Sequence, residues 1–120
     1  MSVEGMWCFV SGDIETPNQI TSGGIIVFET GKIFGGDGAI AHVGTYAVRG
    51  KDVTADVESW CYNPAFRGEL DVFGDASTGD ARYTRFEGAI EQDGLLYGTM
   101  SRDNGQKSLR VLLKKLRELP

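Results

Sequence analysis

The residues with the strongest chemistry in this 120-residue chain are its single histidine, His42, two cysteines, Cys8 and Cys61, and the carboxylates Asp13, Asp37, Glu69 and Asp71. A histidine can act as a general base, paired carboxylates as acid and base, and cysteine with histidine as metal ligands. The spacing supports none of these. No Gly-x-Ser-x-Gly segment accompanies His42, no paired His/Cys metal spacing occurs, and no spacing sets two of the carboxylates on one face of one element. The block Gly35-Gly36-Asp37-Gly38 lacks the lysine and following helix of a phosphate-binding loop, so it reads as a turn or bulge. The chain is expected to be no enzyme and to need no cofactor or metal.

The aromatic residues make a better case for binding. Trp7, Phe9, Phe28, Phe34, Tyr46, Trp60, Tyr62, Phe86 and Tyr97 all fall in strand-like runs. If those strands close, Trp7, Phe9 and Tyr46 are candidates to line a lumen that holds a lipid-like molecule. The alternative is a barrel filled by its own side chains, with the same aromatics as core.

The elements that must position these residues are short strands turned by glycine. Seventeen glycines and three prolines fall mostly at strand ends and at spaced positions within strands. Strands are expected at 5–12, 22–30, 32–36, 42–49, 52–62, 82–92, 94–103 and 107–115. Thr30-Gly31, Arg49-Gly50-Lys51 and Gln92-Asp93-Gly94 are hairpin signals. Consecutive hairpins predict an all-β, eight-stranded antiparallel up-and-down meander, which protects its edges by closing into a barrel. Val53, Ala55 and Val57 alternate with Thr54, Asp56 and Glu58, and Phe86, Gly88 and Ile90 with Arg85, Glu87 and Glu91, giving one dry face and one wet. Mid-strand Gly44, Gly88 and Gly98 mark places where the sheet bends.

Two segments break the alternation. Ile25-Ile26-Val27-Phe28 and the stretch from Leu109 to Leu116 are apolar on both faces and call for a second burying surface, which a subunit interface would supply. Ile26, Phe28 and Leu112 are the expected contacts of a homodimer, and a charge at Ile26 or Leu112 is expected to split it. The irregular stretch 63–81 carries Phe66, Leu70, Val72 and Phe73 among acidic residues. That is more apolar surface than a solvated linker needs, so part of it is expected to pack across the barrel mouth as a lid or plug.

Length and composition fit a single domain over 1–120, with 41% hydrophobic and 24% charged residues. No apolar run approaches a membrane span, and Met1-Ser2-Val3-Glu4 does not read as a secretory signal, so a cytoplasmic location with free thiols is expected. The formal charge of −5 disfavours direct nucleic-acid binding. Lys107, Arg110, Lys114, Lys115 and Arg117 make the C-terminal segment locally basic, either as a solvated face or as a contact for an acidic partner or lipid head group.

The residue order also resembles the type III secretion negative regulator family. Gly5-Met6-Trp7, Gly23-Gly24-Ile25, Gly31-Lys32-Ile33-Phe34-Gly35-Gly36-Asp37, Val43-Gly44-Thr45-Tyr46 and Val53-Thr54-Ala55-Asp56-Val57 carry the likeness, which continues more loosely through Phe86-Glu87-Gly88 and Leu109-Arg110-Val111. The resemblance implies a lipocalin-like barrel that forms a homodimer and sequesters a transcriptional activator protein, with no reaction and no contact to DNA. It also implies an acidic partner-binding turn. Here that turn reads Arg49-Gly50-Lys51-Asp52, with cations where the family has carboxylates, so the same basic partner is not expected at Arg49, Lys51 and Asp52. A tight glycine hairpin explains the turn without any partner.

Overall fold

Side chains in a strand alternate with a period of two, so a run of half-apolar strands joined by two-residue turns can bury one face only by curling. The computed structural model describes residues 3–13, 22–71, 73–102 and 108–120. Lys107, Val72 and the acidic candidates' Asp13 side chain lie outside the described residues. Eight strands follow one another: β1 Gly5–Asp13, β2 Ser22–Glu29, β3 Lys32–Gly36, β4 Ile40–Arg49, β5 Asp52–Cys61, β6 Arg82–Gln92, β7 Leu95–Arg102 and β8 Ser108–Arg117. Each pairs antiparallel with its neighbour in sequence, and β8 returns to β1, which gives a closed up-and-down barrel.

The turn chemistry matches the hairpins expected from sequence. Thr30 and Gly31 both take positive φ, 50° and 78°, the left-handed pair that continues strand twist through a two-residue hairpin. Gly88 and Gly98 sit opposite each other on β6 and β7. A Cβ on Gly98 would come within 2.7 Å of the Gly88 Cα, so the two strands approach more closely than side chains allow.

The register sends Val53, Ala55, Phe86 and Ile90 inward, as the alternation predicts; Val53 is 0% exposed. β2 corrects the expected dimer contact. Phe28 pairs with Ile33 and Ile26 with Trp7 and Gly35, all on the inner face, and both side chains are buried in the core. Because the period is two, the outward apolar positions of β2 are Ile25 and Val27, and a charge at Ile26 would damage the core rather than split an interface. Leu112 does face outward, between Tyr97 and Val10.

One end of the barrel is filled. Trp7 packs edge-on to Phe28 at 5.8 Å, and Phe28 edge-on to Tyr46 at 5.0 Å, with Val53, Ile90 and Leu96 completing the core around them. No helix among the described residues is long and apolar enough to cross a membrane.

Candidate ligand cavity

Above this floor the barrel is hollow. A cavity of about 480 Å³ opens at the end where β4 begins and β5 and β7 finish. Its base is apolar: Phe9, Phe28, Ile33, Phe86, Val111 and Leu113. The lumen is thus packed at one end and open at the other, and of the aromatics expected to line it only Phe9 does so. Trp7 and Tyr46 lie in the filled end instead, because their inward positions fall nearer the closed rim of the sheet.

The polar collar comes from strand positions that the alternation sends inward. Val53, Ala55, Val57, Ser59 and Cys61 share one face of β5, and Ser59 pairs across with His42 of β4. His42 Nδ1 and Ser59 Oγ lie 2.6 Å apart, and the Phe9 ring meets the imidazole edge-on at 5.6 Å. This is the distance of a nucleophile and its base. The nearby Asp37 carboxylate, however, accepts from the Ala39 and Ile40 amides through Oδ1, each at 2.7 Å, and so serves the β3–β4 turn. Among the described residues no group of three or more His, Cys, Asp and Glu side chains is placed to hold a metal ion, and Cys8 and Cys61 are both free thiols.

Burial pushes the His42 pKa below its ordinary 6.5, with the Asp37 charge pulling it partly back. The folded imidazole therefore resists protonation, and as pH falls through 6.5 the unfolded chain takes up the proton first. Stability is lost on the acid side, by up to about 1.4 kcal/mol for each pH unit over which one proton separates the two states. Between pH about 7.5 and about 5, the urea midpoint of the wild type is expected to fall further than that of His42→Gln. Equal falls would place the acid sensitivity elsewhere.

The described residues 62–71 and 73–81 form a strap over one side of the mouth. Asn63 caps a single 3₁₀ turn, Pro64–Phe66, through its Oδ1, and its Nδ2 donates to the Gly38 carbonyl at 3.0 Å. The Tyr62 hydroxyl donates to the Asp37 carbonyl at 2.6 Å, which ties the strap to the β3–β4 turn. Beyond Gly68 the strap folds on itself through a bridge between Leu70 and Ala76. Asp71 is its hub: Oδ1 accepts from the amides of Phe73 and Asp75, and Oδ2 accepts from Arg102 Nη2 at 2.9 Å. The Arg102 guanidinium also stacks on the Phe73 ring at 4.3 Å from its centroid. The lid expected over 63–81 is thus present in part, with Phe73 buried but Leu70 74% exposed.

Arg102, Arg82, Thr84 and Ser59 escaped a motif search because no motif contains them. The signal that could have found them is the alternation itself. A charged or polar residue at an inward position, two residues past Met100 or Val57, must either meet a partner inside or face a cavity. By contrast, Arg49, Lys51 and Asp52 sit at an exposed hairpin tip where Arg49 pairs with Asp52 and Gly50 takes φ 60°; the tip makes no contact with the cavity. Arg110 and Lys114 face outward on β8, while Lys115 turns inward beside Trp7 and pairs with Glu118 at 2.8 Å.

No family model matches the chain, and no curated protein sequence matches it.

Proposed function

We propose that the protein is a non-enzymatic, cytoplasmic binding barrel that holds one small, mainly apolar molecule. The observation that carries this reading is the hollow half of the barrel, about 480 Å³ with an apolar base, a polar collar and a strap at its mouth. Eight-stranded barrels whose own side chains do not fill them are suited to a single small ligand, and clefts of a few hundred Å³ are the usual size for one. The strap supports the reading because it narrows the mouth through ion pairs, which can part and reform, rather than through core packing alone.

A second reading has its own observation. Met6, Ile25, Phe34 and Tyr97 are each about 40% exposed on the outer wall formed by β7, β8, β1, β2, β3 and β4, and Val27, Val43 and Leu112 lie among them. A continuous apolar outer face suits a protein contact. It supports a homodimer, or sequestration of an activator protein as the family resemblance implies, with Ile25 and Val27 rather than Ile26 and Phe28 as contacts. The solvent-facing Arg49, Lys51 and Asp52 are available to such a partner.

One native mass spectrum of the protein as purified tests both. The ligand reading expects retained mass that Thr84→Trp eliminates, because Thr84 faces the cavity from β6 and an indole there would fill it. Retained mass that persists in the folded variant would place the molecule elsewhere. A dimer with no added mass would move the assignment to the second reading, and a bare monomer would remove support from both.

A further inference from the structure

Arg102 constrains what the cavity can accept. Its side chain is 9% exposed and enters the barrel from the end of β7, opposite Thr84. Nη2 donates to Asp71, and Nη1 lies 3.4 Å from an Asp75 oxygen, but neither Nε nor Nη1 has a hydrogen-bond partner among the described residues. Buried guanidinium N–H groups are rarely left so, because each gives up its water without return. Among the described residues the position lacks an acceptor.

It does not lack negative charge. Arg102 and Arg82 face Asp71 and Asp75, with Arg82 Nη1 3.8 Å from Asp75, so cations and carboxylates already balance. Among the described residues the remaining lining adds Asp37, Glu69 and Asp80 and no further Lys or Arg. An entering anion would find its counter-charge already taken and three more carboxylates around the mouth. An entering cation would find carboxylates at the mouth but would leave the Arg102 donors without an acceptor. An uncharged acceptor meets neither penalty.

Resting on the reading of the barrel as a ligand holder, the geometry points to an uncharged apolar molecule that carries a carbonyl acceptor: a ketone, ester, lactone or amide. Its oxygen receives Arg102, and its chain lies on Phe9, Phe28 and Phe86. Arg102 thereby selects between ligands of equal length by the polarity and charge of their heads.

The test uses the full chain loaded with the neutral fluorophore N-phenylnaphthylamine and displaced by methyl hexyl ketone, octanoate, octylamine or octane. The ketone is expected to displace the dye at a concentration at least about tenfold below each of the other three, the range of one hydrogen bond to a charged donor. Octanoate or octylamine performing as well would overturn the uncharged class, and octane performing as well would overturn the acceptor. Arg102→Lys keeps a cation beside Asp71 but removes Nε. In that variant the ketone's advantage over octane is expected to fall to near unity while the dye still binds. An unchanged advantage would show that Arg102 is not the donor, and the wild-type series decides the ligand class even where the variant fails to fold. Failure of the dye to bind the wild type at all would instead overturn the cavity reading beneath the proposal.

Discussion

Trp7→Ala is expected to lower the free energy of unfolding by about 3–5 kcal/mol, the cost of emptying a fully packed aromatic site. Trp7 is 1% exposed and stands at the centre of the filled end. Its ring meets Phe28 edge-on at 5.8 Å, an arrangement that adds to simple burial, and Lys115 Nζ lies 5.9 Å from the ring centroid. The indole Nε1 donates to the Val3 carbonyl at 2.8 Å, which fixes the chain ahead of β1 across the barrel end. Alanine removes all of this and leaves a hole that the closed sheet can collapse around only by bending. For a domain whose total stability is about 5–15 kcal/mol, that is a large share. Urea unfolding followed by tryptophan-independent circular dichroism measures it. Trp7→Phe keeps most of the packing and should cost about 1–2 kcal/mol. A loss below about 1 kcal/mol for the alanine variant would mean that this end is not packed around Trp7.

Asp71→Ala is expected to release the strap. The carboxylate is 16% exposed and serves three donors at once: two amides of its own turn and the Arg102 guanidinium. Breaking a buried ion pair by removing one partner costs about 3–5 kcal/mol. Asp75 Oδ2, 3.4 Å from Arg102 Nη1, remains as a second counter-charge and brings the expected loss down to about 2–3 kcal/mol. The loss is local, since the strap contributes Phe73 but none of the paired strands to the core. Amide hydrogen exchange should therefore accelerate by about 30-fold or more over 62–81, with the strands changing little. Asp71→Asn keeps an acceptor for the turn amides and removes the charge, so it should fall between the two. Exchange in the alanine variant at the wild-type rate would show that the strap is held by Phe73 and the Asn63 cap instead. If the cavity takes a ligand, the same variant should also speed its exchange with solvent, because the strap borders the mouth.

These two residues also mark how far the sequence could be read. Trp7 was recognisable as an aromatic on an inward strand position, and the filled lumen was one of the two readings open to it. Its neighbours decide the matter. Whether an inward aromatic lies in the packed half or the hollow half depends on how far along the tilted strand it falls, and that is set by stagger between strands that sequence does not display. Asp71 was visible as one acid among several in an irregular stretch. Its role comes from Arg102, 31 residues later, brought to it by the pairing of β7 with β6. Ile26 and Phe28 show the same limit in another form. The sequence shows that β2 is apolar on both faces, and a run without polar–apolar alternation gives no sign of which face is inward, so a one-residue choice exchanges the core for the surface.

What the sequence determined by itself is local: the strand positions, the hairpins at Thr30-Gly31, Gly50 and Gly94, and the order of an up-and-down meander, because each follows from period-two patterning and from backbone conformations that few residues adopt. The tertiary structure alone decided that the barrel is filled at Trp7 and hollow above Phe28, that His42 stands beside Ser59, and that Arg102 meets Asp71 of the strap. Those contacts join residues far apart in the chain, and only the register and closure of eight strands bring them within reach.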